Sequence, residues 1–140
     1  MERRFYIFLA AQIGAAIALL FVLARLPGPW DVTRYAGFVL VVLGMVLVFT
    51  ARFQLGQSFS VIPRARVLVS HGLYSKIRNP IYIFGILVLA GAILIFRRPI
   101  LWVFLAVVIP VQVVRARREA KVLKEKFGDS YRDYRRKTWF

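Results

Sequence analysis

The sequence predicts an all-α fold, a polytopic membrane helix bundle of four transmembrane helices with a cytoplasmic C-terminal helical tail. Three observations carry this reading. The 140 residues are 60% hydrophobic with a mean hydropathy of +0.67, far too apolar for an ordinary soluble domain. The apolar residues gather into blocks at 5–24, 35–51, 80–96 and 99–114, and none of these blocks contains Lys, Arg, Asp or Glu. The 21 Lys and Arg lie before, between and after them, so one integral-membrane domain over 1–140 is expected.

At about 1.5 Å rise per residue the first block is roughly 30 Å long, enough to cross a bilayer. Arg3 and Arg4 before it resemble the start of a secretory signal. The block is longer than a signal core and no small-residue cleavage site follows, so an uncleaved first helix is expected. Ala10, Gly14 and Ala18, with Ala11 and Ala15, put small residues at four-residue spacing, the pattern of close helix packing. Gln12 is polar within the span, and an interhelical hydrogen bond is favoured over a substrate contact.

Leu26-Pro27-Gly28-Pro29-Trp30-Asp31 cannot continue a helix and reads as an outer turn with Trp30 as interfacial anchor. In the second span, Gly37 and Gly44 lie seven apart and also read as packing positions. A polar loop at 52–79 follows. The third and fourth spans are nearer 25 Å, at about 1.5 Å per residue, and a thin membrane would accommodate them. Only Arg97-Arg98 separates the third from Pro99, which suits the first turn of a helix, so the two form a tight antiparallel hairpin. A re-entrant hairpin would carry both arginines to membrane depth, which is costly; full crossing is preferred.

Pro110 should kink the fourth helix by losing its bond to the carbonyl of Ala106. The helical pattern then continues into the tail at 115–140. Ala116, Ala120, Leu123 and Phe127 form one apolar stripe with Glu119 at its border. Gly128 ends that helix, and Asp129 can cap a last short turn bearing Tyr131 and Tyr134, aromatics of the kind that anchor at a membrane interface.

Four crossings put the N-terminus, the loop at 52–79 and the tail on one side. That side holds Arg3 and Arg4, five loop cations (Arg52, Arg64, Arg66, Lys76, Arg78) and ten from Arg115 onward; the other has Arg25, Arg34, Arg97 and Arg98. The positive-inside rule makes the first side cytoplasmic, in a prokaryotic plasma membrane judging by size. The net charge of +15 then means topology and attraction to anionic membrane lipids, with no nucleic acid as partner. With no cysteine there is neither a disulfide framework nor a thiolate nucleophile, and one histidine cannot make a metal site.

Chemistry-bearing residues cluster at the cytoplasmic edge. Pro80 belongs at the first turn of the third helix and pushes Asn79 into an extended conformation, as an N-cap. Arg78 and Asn79 then stand beside unsatisfied amides at the positive end of the helix dipole, either an anion site for a carboxylate or phosphate or an ordinary cap with a snorkelling arginine. Glu119, among Arg115, Arg117, Arg118 and Lys121, is by itself an ordinary ion-pair partner. His71 reads as a surface histidine before it reads as a proton acceptor. Gln54, Gln57 and Ser58 either line a headgroup pocket or belong to a solvated loop.

In this order and spacing, Leu55-Gly56, Phe59-Ser60, Gly72-Leu73-Tyr74, Arg78-Asn79-Pro80 with Tyr82, Glu119 with Leu123, and Phe127-Gly128 with Tyr131 and Tyr134 resemble a known family. It is that of the integral-membrane methyltransferases, which includes isoprenylcysteine carboxyl methyltransferases and phospholipid N-methyltransferases. The resemblance spans 55–139 and departs from the family in two places. Arg78-Asn79-Pro80 stands where the family usually has Arg-His-Pro, and Glu119-Ala120 where it has two glutamates.

The resemblance implies S-adenosylmethionine as cofactor, held by Arg78, Asn79 and Glu119, with Gly72, Tyr74, Pro80, Tyr82 and Leu123 shaping the pocket. It implies methyl transfer to a lipid or lipidated, isoprenylcysteine-like acceptor at the cytoplasmic face. Displacement at a sulfonium methyl needs orientation and exclusion of water more than acid–base groups, which suits a chain this poor in acids and histidine. The tail helix would close over the cofactor as a lid. The rivals are a non-catalytic scaffold that binds anionic lipid and a degenerate member that binds without turnover.

Overall fold

Asp31 sets the start of the second helix: its Oδ1 accepts from the Arg34 amide at 3.1 Å, capping the first turn. The computed structural model describes residues 2–56 and 70–139 and is all helical, apart from one isolated backbone bridge. It comprises α1 (Glu2–Arg25), α2 (Val32–Leu55), a short 3-10 turn at Gly72–Ser75, α3 (Pro80–Phe96), α4 (Ile100–Phe127) and α5 (Asp129–Lys137). Gln57, Ser58, Phe59, Ser60, Arg64 and Arg66 lie outside the described residues.

The helices outrun the apolar blocks. With its cap at Asp31, α2 begins three residues before the expected 35 and ends at Leu55, so Arg34 and Arg52, assigned by the sequence to flanking loops, are helical and buried. The fourth helix starts at Ile100, with Pro99 in the capping position, and continues through Pro110 to Phe127 without interruption. As its stripe led one to expect, the helix passes the end of the apolar stretch at 114 and stops at Gly128, because the charged sequence is also helix-forming.

Three helices, α1, α2 and α4, are long and apolar enough to cross a membrane; α3, at 17 residues, is shorter. Apolar side chains cover the outside, among them Ile17, Phe21, Val39, Ile100 and Val107, as expected of a bundle whose solvent is lipid. The chain is thus a membrane-spanning helical bundle with a helical C-terminal segment.

The most extensive contact is between α2 and α3. It depends on glycine: a Cβ on Gly37 would come within 2.7 Å of the Gly91 carbonyl oxygen, and one on Gly91 equally close to the Gly37 carbonyl oxygen. Gly44 meets Val88 in the same way, so the packing reading of Gly37 and Gly44 describes this interface. The small residues of α1 do not follow: Ala10, Gly14 and Ala18 are exposed, and nothing lies within 4 Å of a Cβ built on Gly14. Among the described residues Gln12 shows no interhelical bond, its Oε1 being buried without a partner, in contrast to the favoured reading.

The core sits at the end of the bundle nearest the α1–α2 turn, where Leu23, Val41 and Ile95 meet with Leu20, Phe38, Met45 and Val88 around them. There the Arg34 guanidinium, 3% exposed, donates to the carbonyls of Leu26 (2.8 Å), Gly28 (2.9 Å), Ala24 (3.2 Å) and Leu23 (3.3 Å). It satisfies carbonyls that the end of α1 leaves open. The face of Trp30 covers it at 4.2 Å, and Trp30 stacks in turn on Phe38. Arg97, in the left-handed conformation at the α3–α4 turn, pairs with Asp31 and ties the two turns together. That partner holds the Asp31 carboxyl below its ordinary range.

Candidate functional site

At the opposite end of the bundle, the residues singled out by the sequence are drawn together by four separate links. The first joins α3 to α4: the Tyr82 hydroxyl donates to Glu119 Oε2 at 3.0 Å, with the Arg115 guanidinium 5.5 Å from the Tyr82 ring centroid. Glu119 is therefore not the simple ion-pair partner its basic surroundings suggest. The two ion pairs among the described residues, Arg97–Asp31 and Arg132–Asp129, do not involve it.

The second link joins the 3-10 turn to α2. Leu73 donates its amide to Gln54 Oε1 at 2.8 Å, so Gln54 holds the turn. Gly72 is required beside it, for its φ is +60° and a Cβ there would lie 2.3–2.4 Å from the Gln54 amide group. This turn leaves His71 exposed and buries Tyr74.

The third and fourth links come from the tail. Gly128, at φ +53°, ends α4 with its amide bonded to the carbonyl of Lys124, and the chain reverses into α5. Gly128 itself occupies the capping position of α5, and Asp129, expected there, is its first helical residue. Tyr131 and Tyr134 are buried, not spread at an interface, and the Tyr134 hydroxyl donates to the Tyr74 carbonyl at 2.7 Å. Beyond α5, Trp139 forms a backbone bridge: its amide donates to Lys76 at 3.0 Å and its carbonyl accepts from Arg78 at 3.4 Å.

Burial pushes the Tyr134 phenol up to about 12, with Tyr131 adding to the effect and the Arg78 charge opposing it. Burial also drives Tyr74 far above its ordinary range, helped by the negative charge of Glu119, while Arg52 opposes. Tyr74 thus lies within electrostatic reach of both Glu119 and Arg52. Arg52 packs 5.0 Å from the Phe8 ring centroid and brings the start of α1 to the same end.

Arg78 stands immediately before α3, half-buried, with Nε inaccessible and without a hydrogen-bond partner among the described residues. Asn79 occupies the capping position at φ −125° and ψ +56°, short of the extended conformation expected, and its side chain makes no cap bond. Pro80 is fully buried at the first turn. Leu123 is half-buried one turn beyond Glu119. Sequence reasoning missed the roles of Trp139 and Gln54; the one signal for Trp139 is an aromatic closing a strongly basic tail.

A family model described as phospholipid methyltransferase matches residues 32–130, from the first residue of α2 to the second of α5. The chain belongs to the phospholipid methyltransferase family. No curated protein and no solved structure matches the chain. The match takes in Gly72, Tyr74, Arg78, Asn79, Pro80, Tyr82, Glu119 and Leu123, and stops short of Tyr131, Tyr134 and Trp139. For this phospholipid methyltransferase family member, methyl transfer near a membrane is the family-level activity.

Proposed function

We propose that the chain transfers a methyl group from S-adenosylmethionine to a lipid or lipidated, isoprenylcysteine-like acceptor at the cytoplasmic membrane face. The observation carrying this reading is the Tyr82–Glu119 bond, which joins the start of α3, four residues after Arg78, to the charged half of α4. The reading takes α3 as a fourth crossing and places both termini in the cytoplasm, with 17 cations on that side following from the distribution of Lys and Arg.

The residues fit the cofactor. The orphaned Arg78 Nε leaves the guanidinium with donor capacity for a carboxylate, and a buried donor without a partner is costly unless a ligand supplies one. Glu119 uses Oε2 for Tyr82 and, as a carboxylate, has further lone pairs for ammonium or hydroxyl donors. Asn79, whose side chain is not spent on capping, adds a hydrogen bond from the same edge. Gly72, Tyr74, Pro80, Tyr82 and Leu123 form the walls.

When bound, S-adenosylmethionine supplies a methyl group on a sulfonium, transferred by in-line displacement with little acid–base assistance from the protein. Arg78 and Glu119 grip its polar ends and fix its orientation. Tyr82 holds the Glu119 carboxylate in place. Tyr74, pinned by Tyr134 and buried, keeps water from that side. The acceptor enters from the bilayer with its tail along the lipid-facing helices and its head at the polar edge.

Calorimetric titration of the purified chain with S-adenosylmethionine, or with its demethylated product, tests the reading. Binding is expected, weakened by Arg78→Ala and by Glu119→Ala; unchanged affinity in both variants removes the site assignment. No heat at millimolar ligand favours the lipid-binding scaffold. Labelled methyl transfer into membrane lipid extract then separates an enzyme from a member that binds without turnover, the alternative raised by Ala120 in place of a second glutamate.

A further inference from the structure

After its apolar block α4 carries the chain away from the apolar zone, and the segment from Gly128 to Trp139 turns it back to the start of α3. The charge-free block of α4 ends at Val114, so at about 1.5 Å per residue Phe127 lies roughly 20 Å further along the helix. Gly128 reverses the chain, and α5 returns over nine residues. Its far end is fixed: Trp139 pairs with Lys76 and Arg78, directly ahead of Pro80, where apolar α3 begins. Trp139 is thereby held at the polar edge of the bilayer, and it is 66% exposed.

The two faces of this segment differ in kind. Inward, Tyr131 and Tyr134 are buried and Tyr134 holds the Tyr74 carbonyl. Outward, Arg132, Arg135, Arg136 and Lys137 are exposed, opposed by Asp129 and Asp133, and Arg132 is 3.7 Å from Asp129. The excess is cationic and grows toward the membrane-facing end, where Arg135, Arg136 and Lys137 precede Trp139. An aromatic beside consecutive cations suits the headgroup layer of an anionic bilayer.

We infer that anionic lipid headgroups hold this segment closed, as a strap over Tyr74 and the stretch that carries Arg78. The hydrogen bonds that dock it on that stretch are few among the described residues: one from Tyr134 and two through Trp139. A surface that binds the docked form better than the released one shifts such an equilibrium directly. From Tyr131 onward the strap lies beyond the family match, and the inference stands whether or not the site transfers methyl groups.

The full chain is placed in vesicles of phosphatidylcholine, or of phosphatidylcholine with phosphatidylglycerol, and amide exchange is followed by mass spectrometry. In the anionic vesicles, peptides from 70–79 and 129–139 are expected to exchange roughly tenfold more slowly or better, as four cations near a charged surface imply, while α2 and α3 stay unchanged. High salt should erase the difference. R132Q/R135Q/R136Q/K137Q should abolish it, and R132K/R135K/R136K, which keeps the charge, should preserve it.

Equal exchange in the two vesicles overturns the inference. So does protection that survives the glutamine variant, or protection reproduced by inorganic phosphate added to neutral vesicles.

Discussion

Arg34 carries a full charge into the core end of the bundle and is held there by carbonyls and an indole face. A lysine has a charge but no planar fork, so it cannot serve several carbonyls and stack on Trp30 together. Arg34→Lys is expected to lower stability by about 2–4 kcal/mol, read as a lower Tm in detergent, because carbonyls at the end of α1 lose their donors. At the other end, Tyr82→Phe removes only the donor to Glu119. It should leave Tm nearly unchanged while raising the Kd for S-adenosylmethionine about tenfold, the scale of a hydrogen bond to a charged group. Equal affinity in the variant would remove the positioning role assigned to Tyr82. The identities of these residues were legible as polar exceptions in an apolar chain. Their partners were not, because Tyr82 and Glu119 are separated by a whole helical hairpin and Arg34 reaches back to a different helix.

At the scale of elements, α2 and α3 approach so closely that the helix pair has no room for a methyl group at Gly37 or Gly91. Gly91→Ala should cost about 1–3 kcal/mol through forced separation, seen as earlier unfolding without a change in helix content. Gly14→Ala, with open space around it, should be silent by the same measure. The tail carries a pH dependence. The folded value of Tyr134 is raised from 10.0 to about 12, so its contribution is fully present below pH 10 and is lost as pH rises toward 12. Proteolysis of 129–139 should therefore accelerate over that interval, and Tyr134→Phe should show the weakened docking already at neutral pH. Helix type was readable for every described apolar block, since charge-free runs of this length leave few alternatives. The start of α2 was not, since capping by Asp31 moved it three residues ahead of the expected 35, whereas the run of α4 past Val114 to Gly128 was readable from its apolar stripe.

At the scale of the whole molecule, four crossings and three make different predictions for labelling. The chain has no cysteine, so single cysteines report cleanly. With α3 as a full crossing, a membrane-impermeant thiol reagent should reach Arg98→Cys and Val32→Cys from outside and Ser130→Cys only from the cytoplasm. Labelling of Val32→Cys and Arg98→Cys from opposite sides would remove the fourth crossing, because α2 would then cross alone between them. By itself the sequence determined that this chain is helical and that lipid is its solvent, because hydrophobic runs and charge placement are properties of the chain in one dimension. The tertiary structure alone decided which polar groups meet. Tyr82 with Glu119, Gln54 with Leu73, Tyr134 with Tyr74 and Trp139 with Lys76 and Arg78 are fixed by how helices cross and where Gly128 turns the chain back, and such distances between remote residues are set by packing.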